Sequence, residues 1–186
     1  MSYASRAMES TYTWDDRGNL SVENAVIFWT NFKGEPTRFN PQGGKRTVSL
    51  ALRPDIAEEM RKDGWNIKER EPYDDQDDIL YHTECVVNMN SQYEPRVMLC
   101  TEWNGKRTMT RLHKENIGQL DDIRYANVDL VVHPHVHENG RKGYINTLVI
   151  TQAKSDLFGG KYDDYDMTDS APRRFVEDDE DALPFC

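Results

Sequence analysis

The stretch from Val128 to Thr151 does more than any other to restrict the fold this chain can adopt. Val128-Asp129-Leu130-Val131-Val132 opens a run to Val136 dense in β-branched residues, and after the turn signal Asn139-Gly140 a second apolar run follows over Gly143–Thr151. Asn-Gly accepts the positive φ angles of a tight hairpin turn at little cost, so the two runs are predicted to pair antiparallel. A lone hairpin is marginal in water and needs further strands or a helix against its apolar face.

The rest of the chain supplies them. Residues 22–32, Val-Glu-Asn-Ala-Val-Ile-Phe-Trp-Thr-Asn-Phe, read as one strand, broken by Lys33-Gly34-Glu35-Pro36. A second loop signal, Asn40-Pro41-Gln42-Gly43-Gly44, precedes an alternating strand over Lys45–Leu52. Pro54 opens a short helix with Ile56, Ala57 and Met60 on one face and Gly64 at its C-terminal end. Trp65-Asn66-Ile67-Lys68 begins another strand, cut off by the acidic loop Asp74-Asp75-Gln76-Asp77-Asp78. Two more strands are placed at 79–89 and 95–101, a tight turn at Asn104-Gly105, and a short helix around Lys114–Leu120. Short strands with one or two short helices predict a mainly β fold, an OB-fold-like antiparallel β-barrel. The 186 residues divide into a flexible N-terminal segment (1–21), one folded domain (22–155) and a disordered acidic C-terminal tail (156–186).

The net charge of −10 counts against a polyanionic partner only until its distribution is considered. From Asp163 onward nine acids face Arg173 and Arg174, which leaves the first 162 residues at −3. Within that body, basic and aromatic residues interleave at Phe28–Lys33, Arg38-Phe39, Lys45-Arg46, Trp103–Arg107 and Arg141–Tyr144. Single-stranded nucleic acid is held by this combination: rings stack on bases while cations follow the phosphates. Trp29, Phe32, Phe39, Trp103 and Tyr144 are the stacking candidates, with His135 as a further plane. Lys33, Arg38, Lys45, Arg46, Lys106, Arg107, Arg141 and Lys142 are the phosphate candidates. On a regular strand Phe28 and Trp29 point to opposite faces, so one of them fills the core.

His133-Pro134-His135-Val136-His137 puts three imidazoles on one side of a strand. Alternate residues lie about 6.5–7 Å apart along a strand, which strains three ligands on one ion, although two with a remote carboxylate could serve. Pro134 further demotes the run to an edge or bulge. Exposed strand histidines, with no metal assigned, are the reading kept. No GxGxxG, P-loop, HExxH or GxSxG occurs, so neither an enzyme nor a cofactor is expected. Cys85, Cys100 and Cys186 lack CxxC spacing, no apolar stretch follows Met1, and no run is long enough to span a membrane. A reducing cytoplasm is the expected setting.

Two resemblances sharpen these expectations. The tail Asp178-Asp179-Glu180-Asp181-Ala182-Leu183-Pro184-Phe185 resembles the acidic, Pro-Phe-tipped tail of bacterial single-stranded DNA-binding proteins, from which it departs in the added Cys186. Residues 22–153 are similar to phage-encoded single-stranded DNA-binding proteins of OB type. Asn24–Phe32 with Phe39–Gly43, Asp63–Lys68 and Val128–Val132 carry that likeness. The resemblance implies sequence-independent binding of single-stranded DNA in phage replication, recombination or repair, in the host cytoplasm. It implies too that Asp178, Asp179, Glu180, Asp181, Leu183, Pro184 and Phe185 recruit replication or recombination proteins and compete with DNA for the groove. A homo-oligomer along the strand is compatible with free sheet edges. The alternatives are an acidic interaction module or DNA mimic that blocks a host enzyme, and a metal-dependent enzyme built on His133, His135 and His137. A mimic spreads its acids over the folded surface, whereas here they gather in the tail.

Overall fold

The computed structural model describes residues 2–72, 78–103 and 105–154. Ten strands form a single sheet: β1 (Thr11–Trp14), β2 (Leu20–Glu23), β3 (Ile27–Asn31), β4 (Thr47–Leu52), β5 (Lys68–Arg70), β6 (Leu80–Val86), β7 (Arg96–Trp103), β8 (Lys106–Leu112), β9 (Tyr125–His137) and β10 (Gly140–Gln152). Two short helices, α1 (Tyr3–Ala7) and α2 (Pro54–Lys62), and a 3₁₀ helix at Ile117–Asp122 complete it.

The predicted hairpin is β9–β10, longer at both ends than its apolar runs, with thirteen residues in each strand. His137 pairs with Gly140, whose φ of +115° opens the second strand. Gly143 is required for packing: a Cβ there would lie 2.7 Å from Val132 Cγ1, 3.1 Å from the Trp65 ring and 3.2 Å from Cys85 Sγ. Past an irregularity between Ile145 and Thr147, β10 changes its second neighbour. Gly143–Tyr144 lie parallel to β6 and Thr147–Thr151 parallel to β7, while β9 pairs antiparallel along the other edge.

The mainly β class with two short helices stands, but an all-antiparallel sheet does not. Local alternation marks a strand and carries no information about the direction of a distant neighbour. The path β1-β2-β9-β10-β6-β4-β3 is open at its ends. An OB-type barrel is itself only partly open, so this is no departure from that type.

The N-terminal residues expected to be flexible are built into the sheet. Ser2 caps α1, Ala4 and Ala7 are buried, and β2 pairs with β9 through Leu20↔Val132 and Val22↔Leu130. The continuous run 22–32 is divided between β2 and β3 at Asn24, which takes a φ of 53° and donates its N–H to Asp129 Oδ1 at 2.9 Å. Elsewhere the pattern predicts well. Ile56, Ala57 and Met60 are the buried face of α2, and Gly64 ends the turn after it with a φ of +84°.

One large core lies against one face of the sheet, built from Leu20, Phe32, Leu50, Leu52, Leu130, Leu148 and their neighbours. A smaller cluster on the opposite face of β4 and β6 sits under α1 and holds Ala4, Ala7, Val26, Phe28, Ala51 and Leu80. That second cluster covers only part of the outer face. The uncovered remainder carries the polar chemistry.

Candidate nucleic-acid interface

Strand alternation decides which side chains share this outer face. On β4, Val48, Leu50 and Leu52 enter the large core, while Thr47, Ser49 and Ala51 point outward. On β6, Cys85 goes inward, and His82 and Glu84, which pair with Ala51 and Ser49, go outward. Lys68 of β5 extends the row beside His82. With Gly143 turned inward, Lys142 and Tyr144 lie outward, and β9 sets His135 beside Lys142 and His133 beside Tyr144.

The face is concave. A groove of about 1490 Å³ runs past Trp29, Phe39, Lys45, Ser49, Arg70 and His82. A smaller cleft of about 340 Å³ continues it past His137, Arg141, Lys142 and Tyr144, and Lys68 and Glu84 line both. Together the walls carry six cations, Lys33, Lys45, Lys68, Arg70, Arg141 and Lys142, against four carboxylates. On a chain of net charge −10, this local excess marks a place for an anion.

Trp29 is held at the mouth of the larger part. A register break between Phe28 and Asn31 gives Trp29 a φ of 47°, which is uncommon for a bulky side chain and costs roughly 1–3 kcal/mol. The break lets both rings touch, at 4.9 Å between centroids, although Phe28 is buried and Trp29 is 59% exposed. His82 meets the indole edge-on at 5.4 Å, and the Arg70 guanidinium lies over it at 5.2 Å. Phe39, 93% exposed, stands on the loop between β3 and β4. Paired hydrogen bonds between Asn31 and Glu35 brace that loop, as does Asn40 Nδ2 donating to Gly43 O. At the far end Tyr144 packs with His135 and His137, at 5.5 and 6.1 Å between centroids.

A family model described as "Putative phage ssDNA-binding domain" matches residues 10–183. The chain belongs to this phage family. No curated protein matches it. Among solved structures, the single-stranded DNA-binding protein of bacteriophage Enc34 in complex with ssDNA aligns at a TM-score of 0.45 and 14% identity, covering 78% of this chain and 91% of that one. A C-terminal truncation of the Enc34 protein aligns at 0.42 and 12% identity, covering 80% and 98%.

In this member of the family the groove gathers eight of the residues expected from sequence. Trp29, Lys33, Phe39 and Lys45 line the larger part, Arg141, Lys142 and Tyr144 the smaller, and His135 packs on Tyr144. Arg38 is exposed beside Phe39 without lining the groove. Phe32 is not available for stacking, because its ring is wholly buried in the large core. Arg46 braces the backbone instead, its Nε donating to Phe32 O at 2.8 Å. Trp103, Lys106 and Arg107 sit at the free end of the β7–β8 hairpin, beyond the point where Cys100 pairs with Thr151. That is roughly 23 Å along β10 from Tyr144. The tail candidates Asp178 to Phe185 lie outside the described residues. Among the described residues no group of three or more His, Cys, Asp or Glu is placed to hold a metal ion.

Lys68, Arg70, His82 and Glu84 were not expected at the site. The alternation of Lys68 and Arg70 was their only signal. His82 is buried, and its Nδ1 has no hydrogen-bond partner among the described residues. Burial, with the charges of Lys68 and Arg70, holds its pKa below the ordinary histidine value. The unfolded chain therefore binds more protons than the folded one as pH falls below about 6.5, so stability drops on acidification. The expected result is a melting temperature that declines from pH 7 to pH 5. His82→Leu should flatten the decline; an identical pH profile in the variant rules His82 out as its source.

Proposed function

We propose that the groove from Trp29 to Tyr144 binds single-stranded DNA without sequence preference, as a binding protein and not a catalyst. One observation carries the reading: exposed rings and a local excess of cations share a single concave face in a member of a phage ssDNA-binding family. Rings give base stacking that tolerates any sequence, and cations give attraction to the backbone. Phage DNA replication, recombination or repair in the host cytoplasm is the setting this chemistry suits. Among the described residues no helix is long and apolar enough to cross a membrane. The acidic C-terminal segment competes for the groove when DNA is absent and meets replication or recombination proteins when DNA displaces it. Free edges at β1, β3 and β8 leave room for copies to associate along a strand.

Fluorescence anisotropy with labelled oligo-dT tests this. Each phosphate neutralised contributes about −0.7 to the slope of log affinity against log salt. If all six groove cations engage, affinity falls a few hundredfold between roughly 50 and 200 mM salt. Residues 1–162 should bind more tightly than the full chain at low salt. Absent or salt-insensitive binding by both chains removes the proposal, while equal binding by the two removes the competing tail alone.

A further inference from the structure

We propose that Glu84 is the resident anion of a phosphate subsite: its carboxylate occupies, between Lys45 and Lys142, the place a DNA backbone phosphate takes when a strand enters. The inference rests on the groove being a binding site for single-stranded DNA. Glu84 Oε1 lies 2.9 Å from Lys45 Nζ and 3.5 Å from Lys142 Nζ. The two ammonium groups reach this one oxygen from opposite sides of β6, Lys142 from β10 and Lys45 from the loop just before β4. Lysine is a compact point charge, and two of them converging on one oxygen suit a phosphate oxygen equally well.

Position gives the contact its meaning. Glu84 lines both the larger groove and the smaller cleft, so a strand running from Trp29 to Tyr144 passes over it. The other groove carboxylates have different settings. Glu69 pairs with Arg61 at 2.6 Å, Asp121 accepts the Lys33 N–H at 2.8 Å, and Glu35 belongs to the β3–β4 loop.

The electrostatics agree. Burial alone works to raise the Glu84 carboxyl, yet hydrogen bonding and charge from Lys45, with Lys142 and Lys68, hold it below the ordinary value. Lys142 is depressed by burial and by the neighbouring Lys45 charge, so it gains from any anion placed between them. With Glu84 in place, the entering phosphate exchanges one anion for another and releases fewer counterions. The groove's affinity and salt dependence are thereby set below what its six cations allow, which favours release of the strand.

The test compares the full chain with Glu84→Gln, which keeps the shape and removes the charge. Labelled oligo-dT should bind E84Q about tenfold or more tightly at low salt, with a salt slope steeper by about 0.7, one phosphate's worth. In a Lys142→Gln background the gain should shrink several-fold. Glu84→Asp, whose shorter arm cannot span both lysines, should fall between wild type and E84Q. Glu58→Gln, which removes the same charge on α2 outside the groove, where Glu58 pairs with Lys62 at 2.9 Å, should stay within about twofold of wild type. Thermal unfolding of each variant reports that it is folded.

Wild-type binding with E84Q unchanged in affinity and slope overturns the inference and leaves the DNA-binding reading intact. An equal gain from E58Q also overturns it, because overall charge then explains the effect. Binding by E84Q alone sustains it, with Glu84 closing the subsite completely. Binding by neither overturns both readings.

Discussion

Truncating Phe32 to alanine is expected to cost about 3–5 kcal/mol of stability while leaving the DNA affinity of the folded protein unchanged. The two readouts separate because the ring and the groove lie on opposite sides of the backbone. Phe32 has no exposed surface and sits among the large-core residues, although Lys33 beside it lines the groove. Its carbonyl accepts from Arg46 Nε at 2.8 Å, and the next N–H donates to Asp121 Oδ2 at 2.8 Å. A backbone tied at both points cannot easily collapse into the space the ring leaves, so the cavity persists and the penalty approaches the full range. Small domains have only about 5–15 kcal/mol in total, so the variant should unfold at markedly lower urea. Unchanged stability with lost binding would place Phe32 in the groove and reverse the assignment of the two faces.

What made the fold legible was local chemistry with a short range. Pro54 followed by Ile56, Ala57 and Met60 marks α2, and Gly64 marks its end, because capping and periodicity act within a few residues. The β9–β10 hairpin was legible for the same reason. The N-terminal elements were not. Their buried surface comes largely from Ala4, Ala7 and Leu20, too sparse for a periodic signal, and they form against β9, β4 and β6. Asn24 was hidden inside an apolar run because its left-handed turn is held by Ser10 and Asp129, far away in sequence. Nor can the parallel contacts of β10 be read locally, since they join residues 51 or more positions apart.

The site divides along the same line. Basic-aromatic segments are visible one at a time, and nothing local ranks Trp103-Lys106-Arg107 below Arg141-Lys142-Tyr144. The sheet ranks them, by laying the second group beside β6 and extending the first from the opposite end of β10. Glu84 was invisible for a further reason. Its significance lies in the two lysines that reach it from β10 and from the loop just before β4, and neither is near it in sequence.

Those positions set up a direct comparison between two tryptophans of similar exposure, Trp29 at 59% and Trp103 at 54%. Stacking of a base on an aromatic ring contributes about 1–3 kcal/mol, so Trp29→Ala should weaken oligo-dT binding by about 5- to 150-fold. Several contacts fix Trp29 before any ligand arrives: Phe28 at 4.9 Å, His82 at 5.4 Å and Arg70 over the ring at 5.2 Å. A plane already held in position forfeits little rotamer entropy on binding, which favours the upper half of that range. Trp29→Phe keeps a ring in the same cage and should recover most of the affinity. Trp103→Ala should stay within about twofold of wild type, because its ring is presented on the β7–β8 hairpin, away from the groove. Equal losses from W29A and W103A would carry the interface along β10 to that hairpin, and a DNA strand would then have to bridge both ends of the sheet.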